Sequence, residues 1–242
     1  MRIFKGSRCH WQRELFFSPL IGFGLLLSVL VPGLETEAKV PGVSQPSMAA
    51  PVRPLSPEEA EVLQKAAGEF QRGEYAACLK ILESGAGAIP HPETLNLRGA
   101  ALSELGRQKE AVAMFEWALQ GDPSHFWARY NLAEIALLDG NLPLARKHFL
   151  AINPQGPSQK ELLSLKLLLI DLRSGDEASA RRQLPPWPPA SAAGCAAYAA
   201  MAHSAGDDAK RAALLAEARR AHPEQWDLFL RKTLQESGIP VD

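Results

Sequence analysis

The residues best able to do chemistry in this sequence are its histidines and cysteines, and their spacing argues against a metal or catalytic centre. No two of the six histidines have the spacing of a helical metal-binding pair, and none lies beside a cysteine as in a zinc site. The sequence also lacks a glycine-rich phosphate loop and a nucleophile-elbow serine. We therefore predict no catalytic residue, no metal, no cofactor and no enzymatic activity.

The bulk composition is that of a globular, helical protein. The chain is 46% hydrophobic and 22% charged, with a net charge of -1, so binding to nucleic acid by phosphate neutralisation is not indicated. Alanine and leucine are abundant while aromatic residues make up 7%, which favours helices because both residues have high helix propensity.

The first 38 residues form a separate segment with the pattern of an export signal. Four basic residues precede residues 15–34, a run of twenty residues without a charge. Positive charge before an apolar run is typical of a secretory signal peptide, and Thr36-Glu37-Ala38 fits a cleavage site. The run is also long enough to span a bilayer, so a membrane tether through residues 15–34 stays open. Both alternatives predict an exported, periplasmic or extracytoplasmic protein.

A proline-rich linker follows over residues 39–56, and the helical domain begins where the linker ends. The eighteen residues from Val40 to Pro57 inclusive contain five prolines, too many for a packed core or a regular helix. Ser56, Pro57 and Glu59 then form a capping box with proline at the first helical position, which predicts a helix start.

Five glycines divide the remaining chain, residues 57–238, into repeated units. Their spacings are 33, 34, 35 and 31 residues, and each glycine closes one helical run and precedes another. A period near 34 residues made of helix, turn and helix predicts a repeat array. The glycines are Gly73, Gly106, Gly140, Gly175 and Gly206.

Within this period the residues resemble the tetratricopeptide repeat. The pattern is clearest in the second unit, where Gly99, Ala111 and Ala118 are the small positions and Phe115 is the large one. The third unit repeats it with Ala145 and Phe149, whereas the first, fourth and fifth units depart from it. The resemblance implies an all-α, right-handed solenoid of about five helix-turn-helix repeats. The last helix, around Gln225 to Gln235, is interpreted as the C-terminal cap, with Arg231 and Lys232 on its outer face.

The resemblance also implies a binding surface, because the first helix of each repeat lines the inner, concave wall. Carried over by position, the partner-binding residues include Asn131 and Lys166, which match in part a carboxylate-gripping set found in some family members. An alternative interpretation is that Tyr130 and Asn131 are the family's usual residues for packing and turn hydrogen bonds, and that Trp127 packs against the previous unit. The predicted partner-binding residues are Asn96, Trp127, Tyr130, Asn131, Glu134, Lys166 and Arg173.

Two further features are predicted to be structural. The segment "LPPWPPAS", Leu184 to Ser191, is interpreted as an extended connection with Trp187 covering an apolar edge, or alternatively as a polyproline ligand for another protein. Cys78 and Cys195 lie in different repeats, which predicts two separate buried thiols rather than a disulfide.

Together these features predict a scaffold or assembly factor of the cell envelope that binds another protein or peptide segment. Alternatives are a non-catalytic subunit of an envelope enzyme or of a polysaccharide or protein export machine, and an enzyme whose site is not apparent from the sequence. The sequence does not indicate an oligomeric state.

Overall fold

Every regular element in the described part of the chain is a helix. The computed structural model describes residues 52–84, 90–226 and 230–241. The predicted export segment and nearly all of the linker lie outside these residues. None of the described helices is long and apolar enough to cross a membrane. The helices are α1 (Pro57–Arg72), α2 (Tyr75–Ser84), α3 (Pro92–Glu104), α4 (Gln108–Gly121), α5 (Phe126–Leu138), α6 (Leu142–Leu150), α7 (Pro157–Arg173), α8 (Glu177–Arg182), α9 (Ala192–Ser204), α10 (Asp208–Ala221), α11 (Pro223–Gln225) and α12 (Arg231–Glu236).

The five predicted glycines each form the turn between the two helices of a repeat. All five have positive φ angles, between 74° and 82°, in the left-handed region that side chains with a Cβ rarely adopt. Each glycine therefore ends one helix in a conformation that sends the chain back along it. The predicted helix-turn-helix fold class is confirmed, with the pairs α1/α2, α3/α4, α5/α6, α7/α8 and α9/α10.

The predicted capping box starts α1. The Ser56 hydroxyl accepts a hydrogen bond from the Glu59 amide at 3.2 Å, and the Glu59 carboxylate accepts one from the Ser56 amide at 2.9 Å. The Arg53 guanidinium also donates to Glu59, and these hydrogen bonds lower the pKa of its carboxyl to about 2. The boundary between linker and repeats is thus fixed by local hydrogen bonds.

The described residues divide into two compact units, one up to His125 and the other from Phe126 onward. In the first unit α1 packs on α2, α2 on α3 and α3 on α4. In the second unit each repeat is a packed helix pair, and α7 contacts α6, α8 and α9. The core of the second unit combines leucines of α7 and alanines of α9 with Leu214, Leu230 and Leu234.

Small side chains allow close helix contacts in the second repeat, as the residue pattern predicts. Ala111 and Ala118 are fully buried, and Phe115 is 1% exposed. A Cβ added to Gly99 would lie 2.6 Å from the Phe115 ring, so the ring occupies the space that the missing side chain leaves. The glycine and the phenylalanine are therefore complementary.

The two described cysteines match their prediction. Cys78 and Cys195 are both free and buried, and they lie in different units. Burial raises the pKa of the Cys78 thiol to about 12 and that of Cys195 in the same direction.

The proline segment after α8 differs from the extended run that its sequence suggests. The backbone bends at residues 186–188 rather than continuing straight. Two contacts hold the bend against α9: the Tyr198 hydroxyl donates to the Pro185 carbonyl at 2.8 Å, and the Trp187 ring meets the Tyr198 ring edge-on at 4.9 Å. Trp187 nevertheless stays 61% exposed, and its ring contact is the one with Tyr198.

Candidate functional site

The predicted partner-binding residues are divided between the two units. Asn96 lies on α3 in the first unit, where it is fully buried. The other six lie in the second unit, four on α5 and two on α7. Six of the seven predicted residues thus lie on α5 and α7, each of which is the first helix of its repeat.

The aromatic residues of α5 form a packed cluster. Trp127 and Tyr130 meet edge-on with ring centroids 5.8 Å apart, and Tyr130 meets Phe149 of α6 at 5.2 Å. Tyr130 is fully buried and Asn131 is 3% exposed, whereas Trp127 is only half-buried. Because a ligand can contact only exposed atoms, Tyr130 and Asn131 fit a supporting role, and their binding role stays a prediction.

Glu134 and Lys166 form an ion pair between the first helices of consecutive repeats. The Lys166 ammonium donates to the Glu134 carboxylate at 3.0 Å, and both side chains are mostly buried. The ammonium also lies 6.0 Å from the centroid of the Tyr130 ring. Burial raises the pKa of Glu134 above its ordinary value, and the nearby ammonium opposes that shift. The Glu134–Lys166 ion pair therefore lies in an environment with little access to water.

A cavity of about 230 Å³ lies over this ion pair, and Glu134, Lys166 and Arg173 all line it. Glu134 stands one helical turn from Leu137 and Leu138, which also line the cavity, so one face of α5 forms its wall. One face of α7 forms another wall, through Lys166, Leu169, Ile170 and Arg173. We call this space the α5/α7 cavity.

Arg173 is the exposed cation of the α5/α7 cavity. It lies in the last turn of α7, and within the described residues its guanidinium makes no hydrogen bond or ion pair. Lys166, in contrast, is 4% exposed and bonded to Glu134. The cavity therefore offers a partner one accessible guanidinium beside an apolar wall.

Three lining residues come from the C-terminal segment and were not predicted from the sequence. Thr233, Glu236 and Ser237 close the third side of the α5/α7 cavity. The sequence predicts that the terminal helix caps the array with Arg231 and Lys232 on its outer face. Arg231 is indeed exposed, but Lys232 is partly buried and lies 3.7 Å from Glu236. The spacing of Leu230 and Leu234, four positions apart among polar residues, predicts an amphipathic helix. It does not predict which repeat that helix packs against.

A second cavity, of about 480 Å³, lies between α7, α9 and residues 184–186. It is larger but contains none of the predicted binding residues, and much of its wall is proline, alanine and glycine. Elsewhere in the described ranges, no group of three histidine, cysteine, aspartate or glutamate residues is arranged to hold a metal ion. The α5/α7 cavity is therefore the candidate site.

Stacked helix pairs with glycine turns and small buried contact positions define a helical-repeat protein. Residues 102–169 match the family model "Tetratricopeptide repeat". This part of the chain is therefore similar to the tetratricopeptide repeat.

Known proteins with related sequence or fold agree with this assignment. A segment of 110 residues, 45% of this chain, is 34% identical to the TPR repeat-containing thioredoxin TTL4 of Arabidopsis thaliana, of which it spans only 16%. Among solved structures, a thermophilic TPR protein of Thermus thermophilus is similar with a TM-score of 0.53 and 22% identity, covering 72% of this chain and 97% of that one. A tetratricopeptide repeat protein of Parabacteroides merdae is similar with a TM-score of 0.54 and 14% identity, covering 76% and 75%. At these identities the two structures support the fold alone.

Proposed function

We propose that this protein is a non-catalytic scaffold or assembly factor that binds a segment of another protein at the α5/α7 cavity. The observation that carries the proposal is the exposed Arg173 guanidinium beside an apolar wall of α5 and α7. Apolar contacts supply most of the affinity of such a groove, and a charged hydrogen bond orients the ligand. The ligand group that suits Arg173 is a carboxylate, since a guanidinium binds it through two parallel hydrogen bonds.

The cell envelope is the proposed place of action. The support is the basic, apolar and small-residue pattern of residues 1–38, which is that of an export signal. The binding site itself does not depend on that location.

The test is affinity capture of the tagged full-length chain from its native cells after mild crosslinking, comparing Arg173→Glu with the wild type. A partner held through Arg173 should be recovered at least about 10-fold less with the variant, because a hydrogen bond to a charged group contributes about 1.5–3 kcal/mol. Lys147→Glu is the matched control, since Lys147 is exposed on α6 and does not line the cavity. Equal recovery of the partner by all three chains would place its binding site elsewhere.

A further inference from the structure

The C-terminal segment of the second unit lies on the same helix faces that the proposed binding site uses. Thr233, Glu236 and Ser237 line the α5/α7 cavity together with residues of α5 and α7. Leu230 and Leu234, one helical turn apart, are 1% and 0% exposed and join the core formed by α7 and α9. An amphipathic helix of the chain itself therefore occupies part of the predicted inner wall.

The polar residues of the C-terminal segment pack less closely against α5 and α7 than its leucines pack in the core. The cavity of about 230 Å³ remains between the segment and α5 and α7. One oxygen of the Glu134 carboxylate, Oε1, is buried and has no hydrogen-bond partner among the described residues. A void and an unsatisfied buried oxygen both cost stability, so a helix that fills the void and donates to Glu134 would bind better at this face.

The helical part of the segment is short. α12 has six residues, and an isolated helix of that length does not form in water without packing. Its anchors within the second unit are the apolar side chains Leu230, Leu234 and Ile239. Loss of one anchor should therefore release the segment as a unit.

We propose that residues 230–241 act as a displaceable internal ligand of the α5/α7 cavity, and that the protein's partner binds there as an amphipathic helix in their place. This inference rests on the proposed function, because it names the form of the partner and a way of regulating the same site. The expected partner helix has two apolar residues four positions apart, as Leu230 and Leu234 are, and an acidic group within reach of Arg173. The partner and the terminal segment then compete for one surface, so release of the segment raises partner affinity.

The experiment uses the full-length chain and a fluorescently labelled synthetic peptide of residues 223–242 as the probe. In Leu234→Asp, burial of a charge at a fully buried position should undock the resident segment. The variant should then bind the peptide at least about 10-fold more tightly than the wild type, by fluorescence anisotropy, since no resident helix competes. A peptide carrying the same substitution should not bind either chain. Equal affinity of the two chains, or no saturable binding by the variant, would overturn the proposal.

Hydrogen exchange of the wild-type chain tests the same point without a substitution. A displaceable segment should open locally, so amides of residues 231–236 should exchange at least about 10-fold faster than those of α9, which lies in the same core. Equal protection, or loss of helicity throughout the Leu234→Asp chain by circular dichroism, would mean that the segment is a permanent part of the core and would overturn the proposal.

The two proposals fail in distinguishable ways. A captured partner that depends on Arg173 but is recovered equally by wild type and Leu234→Asp would overturn the internal-ligand proposal and support the binding site. In the other case, the labelled peptide binds Leu234→Asp more tightly than the wild type, but the captured partner is recovered equally with Arg173→Glu. That result would overturn the site proposed for the partner and support the internal ligand.

Discussion

Gly99 and Phe115 show how single residues set the distance between helices in this protein. Helix α3 approaches α4 closely because position 99 has no side chain, and the Phe115 ring lies in the space that results. Packing at the density of a protein interior leaves no room for even one added carbon at such a contact. The glycine is therefore required by the tertiary contact, although it weakens the helix that contains it.

Substitution of two helical glycines by alanine should have opposite effects. Gly99→Ala should lower the free energy of unfolding by about 1–3 kcal/mol, because its Cβ would overlap the Phe115 ring. Gly68→Ala is the control within α1, where the added Cβ meets only the Arg72 guanidinium at 4.0 Å, and it should raise stability by about 0.5–1 kcal/mol. Urea denaturation of both variants measures the change in the free energy of unfolding. An unchanged value for Gly99→Ala would contradict the close contact between Gly99 and Phe115.

At the scale of helices, the ion pair between Glu134 and Lys166 joins the first helices of two consecutive repeats. The two residues are 32 positions apart, three fewer than the spacing of Gly140 and Gly175, so Lys166 lies about one helical turn before the position on α7 that is equivalent to Glu134. Both side chains are mostly buried, and their mutual attraction offsets part of the loss of hydration. Removal of Lys166 alone leaves the buried Glu134 carboxylate without the ammonium that neutralises it.

Lys166→Met should therefore be far more harmful than the loss of both charges. We expect the single substitution to cost about 3–5 kcal/mol of unfolding free energy, and the double substitution Lys166→Met with Glu134→Leu to recover most of that loss. Lys147→Met, at an exposed position of α6, should change stability by less than about 0.5 kcal/mol. Equal stability of the single and double variants in urea would show that the pair is not coupled.

At the scale of the whole molecule, the described part of each compact unit contains one buried free thiol. Cys78 lies in the first unit and Cys195 in the second. Burial raises the pKa of both thiols, that of Cys78 to about 12, so the reactive thiolate is scarce in the folded chain near neutral pH. Modification of each thiol then depends on opening of the unit that contains it.

Iodoacetamide at pH 8 should accordingly label both thiols slowly in the native chain and quickly in urea. Peptide-resolved mass spectrometry over time would give one rate for Cys78 and another for Cys195, and the two rates report the opening of the two units separately. The fully unfolded chain is the positive control, because both thiols are then exposed. Fast labelling of either thiol without urea would contradict its burial.

The sequence by itself determined the local features of this protein. The glycine spacing predicted the helix pairs, because only glycine adopts a left-handed turn without strain at the end of each first helix. Ser56, Pro57 and Glu59 predicted the start of α1, because a capping box needs only residues three positions apart. Ala111, Phe115 and Ala118 predicted buried positions, since their spacing places them on one face of α4.

Only the tertiary structure decided which of the predicted binding residues are accessible. Asn96, Tyr130, Asn131 and Lys166 are buried, whereas Arg173 is exposed, and a pattern of residue types does not distinguish these outcomes. The bend at residues 186–188 likewise depends on contacts with Tyr198, which lies on another element. The position of Thr233 and Glu236 beside Glu134 and Lys166 depends on how the terminal segment packs, a contact between residues far apart in the chain that no local period encodes.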